Sequence, residues 1–396
     1  MIIRLTDLMM DETWIMVKTN KSAKWIWQQP GWPEFVWQEK ALAPLLREIH
    51  KLQGKLLGNT ELVTSTENLQ SELDALLQNA INTSAIEGEE LDVNSVRSSL
   101  AKRLGLKQAG LPPGTPQTDG IADLLLDATH HADVELTQKR LYEWHQKLFP
   151  ENVPRLVSIQ VGKLRTHDPM QVVSGPIGKE KVHFEAPLSK NLKEELKSFI
   201  DWFNQSRKDT EFDPLLRAGI AHLWFVTIHP FDDGNGRLAR AITDLALAQA
   251  EQQSIRFYAM AAAIMENRKA YYQVLEQSQR AELDVTSWLE WFLETLKKTL
   301  ITAIKRIEYV LQKTKFWQLH AQSSLNERQV KVLNRLLDSG PDEFEGGINT
   351  QKYMGLTKTS KATATRDLVE LVEKGCLVKR PGGGRSTSYD ISWPKK

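Results

Sequence analysis

A single cysteine, Cys376, stands in 396 residues. A disulfide within the chain needs two, so no disulfide framework staples this fold, and the scarcity suits a reducing compartment. An excess of one charge is also missing: 51 Lys and Arg face 50 Asp and Glu. With that balance no overall field steers the chain towards nucleic acid or a membrane surface. No stretch approaches the ~20 apolar residues that span a bilayer, and the N-terminus has no basic region leading into an apolar run and a cleavage site. A soluble, cytoplasmic protein with no membrane partner is the expectation. What remains, 41% hydrophobic and 26% charged residues, is ordinary for a globular chain. The length leads us to expect two or three domains.

One stretch gathers most of the chemistry: Thr227-Ile228-His229-Pro230-Phe231-Asp232-Asp233-Gly234-Asn235-Gly236-Arg237-Leu238-Ala239-Arg240. Leu215 to Val226 reads as an apolar helix. Pro230 disfavours helical geometry at the residue before it, so that helix ends near His229. A second helix starts near Arg237. Gly234, Asn235 and Gly236 therefore lie where a loop becomes a helix N-terminus, whose free N–H groups and dipole favour an anion. Arg237 and Arg240, three apart, share a face and can reach the same anion. Asp233 offers one carboxylate to a Mg²⁺ that takes its other ligands from phosphates and water. His229 is placed as a general base. Spacing and composition yield a base beside a phosphate and metal site.

The stretch resembles the signature of the Fic family, His-x-Phe-x-(Asp/Glu)-Gly-Asn-Gly-Arg-x-x-Arg, with every fixed position filled. The resemblance implies an enzyme that moves AMP from ATP, with Mg²⁺, onto a Tyr, Thr or Ser hydroxyl of a protein. It places Gly234 to Arg240, including Leu238 and Ala239, in the nucleotide site. A branch of the fold that phosphorylates a translation factor has Lys where Gly236 stands, so Gly236 argues for AMP transfer. Upstream, Thr83-Ser84-Ala85-Ile86-Glu87-Gly88 closes a helix expected over Thr66 to Ile86, with Gly88 as its stop. From spacing alone Glu87 is only a carboxylate at a helix C-terminus, the unfavourable end of the dipole. The run matches the family's inhibitory pattern (Ser/Thr)-x-x-x-Glu-(Gly/Asn), which implies that Glu87 restrains the site.

Five of the twelve tryptophans, Trp14, Trp25, Trp27, Trp32 and Trp37, fall in the first 37 residues. Trp25-Ile26-Trp27 alternates like a strand edge, and the segment reads as a cap whose aromatics staple it to the next domain. It resembles the small N-terminal extension of one subset of Fic proteins. Further helices are expected over Phe35 to Lys55, from a cap at Asp92 through Arg103, and over Ile121 to His131 and Thr137 to Phe149, with Gly110 to Gly120 a loop. His130, His131 and His145 lack partners at ligand spacing and read as core or surface histidines.

Val161 to Arg165, Gln171 to Gly175 and Lys181 to Pro187 read as short strands. They resemble the family's flap, which implies that a target segment lies along its free edge and that Val173, Ser174 and Gly175 face the nucleotide. Glu266 to Tyr272 opens another helix. Tyr271 and Tyr272 read either as core aromatics or, by the resemblance, as lining of the nucleoside pocket. Long helices follow from Val285 to Val310.

Helices over Glu327 to Leu337, Asn349 to Met354 and Ser360 to Lys374, a turn at Gly355 to Thr357 and a hairpin with a Gly-rich basic tip form a winged-helix pattern. Lys358, Lys361, Thr363, Thr365 and Arg366 would face DNA, with Lys379, Arg380 and Arg385 on the wing. A protein-docking winged helix is the alternative.

The fold class expected is mainly α, a helical Fic core with a β-hairpin flap plus a C-terminal winged-helix domain of α+β type. The divisions read as 1–60, 61–310 and 316–396. Expected partners are the target protein, the chain itself through self-modification, DNA, and a second copy in a homodimer. Two rivals stand beside AMP transfer: removal of AMP by the same site, and a DNA-binding regulator whose Fic domain only senses nucleotide. A sensor would need the phosphate turn but not His229.

Overall fold

The computed structural model describes residues 23–107, 110–151, 153, 158–174, 179, 181–251, 257–280, 282–338, 346–381 and 387–394. Trp14, Gly175 and Arg385 lie outside the described residues. The chain divides into two compact units, one of residues up to Leu57 with Ser65–Ala303, the other of Gly58–Thr64 with Ile304–Lys396.

Helices dominate the first unit: α1 Glu39–Thr60, α2 Ser65–Ile86, α3 Val93–Arg103, α4 Pro116–His130, α5 Gln138–Leu148, α6 Leu192–Ser206, α7 Pro214–Ile228, α8 Asn235–Glu251, α9 Met260–Glu266, α10 Arg268–Arg280 and the start of α11 Thr286–Leu319. At the centre α7 packs against α8, with α2 and α4 against α8 and α6 against α7. The reason is legible in α7 itself: every residue from Leu215 to Ile228 is buried, so this helix must be wrapped on all sides. Asp213 caps it by accepting from Leu215 N–H, and Pro214 occupies the first turn, where no N–H is needed.

Gly88 ends α2. It adopts φ +85, a left-handed conformation open to glycine. Gly88 N–H donates to Ala85 O and Glu89 N–H donates to Ser84 O, both at 3.0 Å, the paired bonds of a Schellman stop. This stop places Glu87 and Glu89 on either side of one tight turn.

A two-stranded antiparallel hairpin, β1 Gln171–Ser174 and β2 Lys181–Glu185, interrupts the helices, with a bulge between Val172 and Val173. The outer side of β2 is covered: Trp27 Nε1 donates to Glu185 O at 2.7 Å and Arg280 Nη2 to Val182 O at 3.1 Å. The tryptophan cap is stapled at further points, by Trp25 edge-on to Phe184 and Trp32 Nε1 donating to Glu195.

Several sequence expectations change. Trp25 to Trp27 is not a strand edge but leads into a 3-10 turn over Ile26–Gln28, and the Gln28 side chain accepts from the N–H groups of Lys24 and Trp25 just before it. Val161 to Arg165 forms no strand: Gly162, at φ +66, turns the chain, and its N–H donates to His145 Nδ1 rather than to a neighbouring strand. The loop expected to Gly120 ends sooner, because Thr115 and Thr118 cap each other and start α4 at Pro116.

The second unit holds α12 Glu327–Asp338, α13 Thr350–Thr357, α14 Lys361–Glu373 and the hairpin β3 Leu377–Lys379 with β4 Tyr389–Ile391. The turn expected at Gly355 to Thr357 remains helical, and the reversal falls on Lys358, in the left-handed region at φ 51. Asp367, 1% exposed, ties this unit together by accepting from Arg328, Tyr353 and Asn326. Among the described residues no helix is long and apolar enough to cross a membrane.

Candidate functional site

The α7–α8 connection carries the site. His229 is the C-cap of α7 and sits at φ 49, in the left-handed region that residues with a Cβ rarely adopt. Its Nδ1–H donates to Val226 O at 3.1 Å, which leaves the lone pair on Nε2, the tautomer a base requires. Burial pushes the imidazole pKa down. The Val226 carbonyl pulls it up, the Arg165 charge pushes it down again, and Glu87 and Asp233 pull it up; the net is below 6.5. His229 is therefore neutral at pH 7.

The loop that follows is held rigid by side chains of the signature itself. Phe231, fully buried, stacks on His145 with ring centroids 4.3 Å apart. The Asn235 amide clamps Phe231 both ways, accepting from its N–H at 3.0 Å and donating to its carbonyl at 2.8 Å. His145 Nδ1 accepts from Gly162 N–H, so its Nε2–H donates to Asp233 O at 3.2 Å. Burial drives its pKa down to about 4, which keeps it a neutral clamp. His130 and His131 face Glu72 and Asp127 instead. Among the described residues, no cluster of three His, Cys, Asp or Glu could hold a metal.

α8 begins at Asn235, two residues before the sequence expectation. Its first N–H groups have no acceptor within the helix and form the anion-favouring end. With this start, Leu238 N–H donates to Gly234 O at 3.0 Å, and the Leu238 and Ala239 side chains are fully buried. Gly234 N–H is also used, donating to Asp233 Oδ1 at 2.5 Å. The Asp233 side chain remains 60% exposed, 4.0 Å from Arg237.

Both signature arginines are buried and both are held by α2 or its Schellman turn. Arg240 Nη2 donates to Glu87 Oε1 at 2.7 Å and to Thr83 O at 2.9 Å, while its Nε donates to Thr83 Oγ1 at 2.6 Å. Burial alone would raise the Glu87 pKa, but the Arg240 guanidinium outweighs it, helped by Arg237 and His229, and holds the carboxyl below 4.5. A Cβ on Gly236 would overlap Glu87 Oε1, so the carboxylate lies directly over the helix N-terminus. Arg237 Nη1 pairs with Glu89, and its guanidinium lies 5.0 Å from the Phe149 ring. Its Nε is buried with no hydrogen-bond partner, a donor set that fits a polyphosphate. Glu89 escaped the sequence reading. Its only signal there was a second acidic residue two positions past Glu87.

Tyr271 and Tyr272 separate. Tyr271 is 1% exposed, and its hydroxyl meets His222 Nε2 at 2.9 Å. Tyr272 is 36% exposed and its hydroxyl donates to Ile86 O at 3.2 Å. On the hairpin, Val173 is exposed and Ser174 Oγ pairs with His183 Nε2 at 2.6 Å. Among the described residues neither bonds the signature loop.

Residues 135–247 match the model of the Fic/DOC family. The chain carries a Fic domain. Residues 25–106, which include the tryptophan cap and the helix bearing Glu87, match a domain of unknown function, DUF4172, and residues 343–389 match a DeoR-like helix-turn-helix domain. The Fic-bearing chain is 26% identical over 208 residues to protein adenylyltransferase fic-1 of Caenorhabditis elegans, covering 51% of this chain and 37% of that protein. It is 23% identical over 272 residues to protein adenylyltransferase Fic of Drosophila willistoni, covering 68% and 50%. The chain thus spans half or less of these relatives' length. A solved Fic domain-containing signaling protein from Bacteroides thetaiotaomicron shares the fold, with a TM-score of 0.51 at 19% identity, over 66% of this chain and 97% of that chain.

Proposed function

We propose that this protein transfers AMP from ATP to a Tyr, Thr or Ser hydroxyl of a target protein, and that Glu87 restrains the transfer. One observation carries the reading: a neutral imidazole with Nε2 free stands one turn from a helix N-terminus and two buried guanidiniums. The ATP phosphates lie along Gly234 to Arg237. His229 Nε2 takes the proton of the hydroxyl as its oxygen bonds to the α-phosphorus in line and the bond to pyrophosphate breaks. Arg237 and the first-turn N–H groups of α8 carry the charge on the departing pyrophosphate. A Mg²⁺ held by Asp233 would neutralise phosphate charge, and one exposed carboxylate beside the phosphates fits an ion that keeps most of its water. The target segment pairs with the β1 edge of the hairpin, since side chains cover the outer side of β2.

The test uses the whole chain with ATP labelled at the α- or the γ-phosphate. Covalent label from the α-position alone is expected, first on the protein itself. Label from the γ-position alone would mean phosphorylation, and no label from either position, including with Glu87→Gly, would sink the transfer reading. A second reading, removal of AMP, is favoured by Glu87 sharing the pocket with His229, a third of its side chain exposed and able to orient water. Release of AMP from modified protein after ATP is washed out would support it.

Glu89 holds the leaving-group arginine, and the pair is partly exposed, so it is worth no more than ~1 kcal/mol. Glu89→Gln should raise transfer by at most about fivefold, measured as initial rate of label incorporation. A fall would mean that Glu89 aims Arg237 rather than withholding it.

For the C-terminal unit we propose DNA binding. Lys358, Lys361 and Lys379 are exposed, whereas Arg380 pairs with Asp390 at 3.2 Å. Binding to genomic fragments should weaken steeply with salt and fall on replacing Lys361 and Lys379 together. Salt-insensitive binding, or none, would favour a protein partner.

A further inference from the structure

We infer that Arg165 is a positioning residue for the proposed transfer, locking the His229 loop to both ends of the flap hairpin so that base and target hydroxyl keep one register. The inference rests on the reading of His229 as base and adds a residue that reading does not contain. Arg165 lies outside the signature, in a segment whose residue pattern suggests only a strand.

Its side chain has no exposed surface. Nε donates to His229 O at 2.8 Å. Nη1 donates to His167 O at 3.3 Å and to Asp168 Oδ1 at 3.1 Å, and Nη2 donates to Pro187 O. The backbone N–H of Arg165 donates to Pro230 O at 3.0 Å. One guanidinium thus ties three segments: the base loop, the chain rising into β1, and the chain leaving β2. Asp168 closes the hairpin further by accepting from Ser189 N–H and Oγ–H. Only a planar fork with five donors can serve acceptors in these directions at once, and lysine cannot.

Two features make the arrangement more than packing. Burying a guanidinium is costly, and burial is the main reason that the Arg165 pKa falls. Among the described residues, Asp168, a third exposed, is the only carboxylate it bonds, and its other partners are main-chain carbonyls, so apolar packing would have been the cheaper filler. The carbonyl held by Nε belongs to a residue in the left-handed region, where a side chain with a Cβ needs an external hold. Arg165 supplies that hold on the carbonyl side, and Val226 supplies it on the ring side. The charged groups acting on His229 are Arg165 from the preceding segment, Glu87 from the end of α2 and Asp233 from the loop. Of these three, Arg165 alone disfavours the imidazolium.

The test compares Arg165→Lys and Arg165→Met in the full chain, with self-modification rates against ATP and pH, and with His229 titrated by NMR, its signal assigned through His229→Gln. Both variants should lower kcat on the order of 10²-fold, since a small misplacement of base against nucleophile costs that much. KM for ATP should stay within about twofold, because Arg165 touches no part of the phosphate turn. In Arg165→Met the His229 midpoint should move to higher pH, carrying the acidic limb of the rate profile with it. In Arg165→Lys, which keeps the charge, the midpoint should stay.

Near wild-type kcat in both variants would overturn the inference. So would equal losses in kcat and ATP affinity with a lowered melting temperature, the mark of a purely structural arginine. If Arg165→Met fails to fold, the Lys variant carries the kinetic test. If neither the wild-type chain nor Glu87→Gly transfers label, the transfer reading fails by itself. Hydrogen exchange then decides the lock: faster exchange at both residues 229–231 and the hairpin ends in Arg165→Lys supports it, and unchanged exchange overturns it.

Discussion

His229→Ala should abolish transfer of label from the α-phosphate of ATP while ATP binding persists. Loss of a general base costs ~10²–10⁴-fold, and nothing else in the loop can replace it. His145, stacked on Phe231 of the loop, has both ring nitrogens engaged, by Gly162 N–H and Asp233 O, and burial has lowered its pKa to about 4. His222 is further disqualified, pushed to about 3 by burial and then by Arg240. ATP binding should survive because the phosphates meet Arg237, Arg240 and the N-terminus of α8, none of which depends on the imidazole. The loop should keep its shape as well, since Asn235, Phe231 and Arg165 hold it through bonds that do not involve the ring. Label incorporation and ATP affinity by calorimetry, measured on the same preparation, check the split. Transfer within about threefold of wild type would remove His229 from the chemistry.

Glu87→Gly should raise transfer at least tenfold, or ~1.4 kcal/mol of barrier. The carboxylate covers the N-terminus of α8 above Gly236 and bonds the guanidinium of Arg240 that a γ-phosphate would need. Two anions compete for one cation, so the effect appears in rate rather than in folding. Removing Glu87 leaves Arg240 in place, because Thr83 still accepts from Nε and Nη2. Arg240→Ala, by contrast, removes the phosphate ligand along with the restraint and should not activate. The ionised form of Glu87 is the restraining one. Its pKa is lowered in the fold, so the lock is present above the ordinary 4.5 and is lost only as pH falls through a value below it. Activation by mild acid between pH 5 and 7 is therefore not expected from this group. Initial rates of self-modification at saturating ATP and Mg²⁺ decide, and an unchanged or lower rate would return Glu87 to the role of a carboxylate at a helix end, or assign it to removal of AMP.

The shape of the α7–α8 loop was legible in the sequence because the constraints on it are local. Pro230 stops α7 one residue earlier, two glycines flank Asn235, and two arginines stand three apart on a helix: each follows from chain geometry within one or two turns. The stop at Gly88 was legible for the same reason. The apolar α7 and the amphipathic winged-helix segments likewise carried their own period, and with it the mainly α class. What only the tertiary structure decided involves groups far apart in sequence. Glu89 meets Arg237 across the fold because a Schellman turn aims it there. Tyr271 lies in the core and Tyr272 at the surface because α10 packs with one face inward, and a Tyr-Tyr pair in sequence cannot say which ring is covered. Arg165 looked like a strand residue, yet besides Asp168 its side-chain partners are the carbonyls of 167, 187 and 229. A main-chain carbonyl exists at every position, so no residue pattern marks the ones that will be chosen as acceptors; burial removes water from them, and only the folded chain says which are left to a guanidinium.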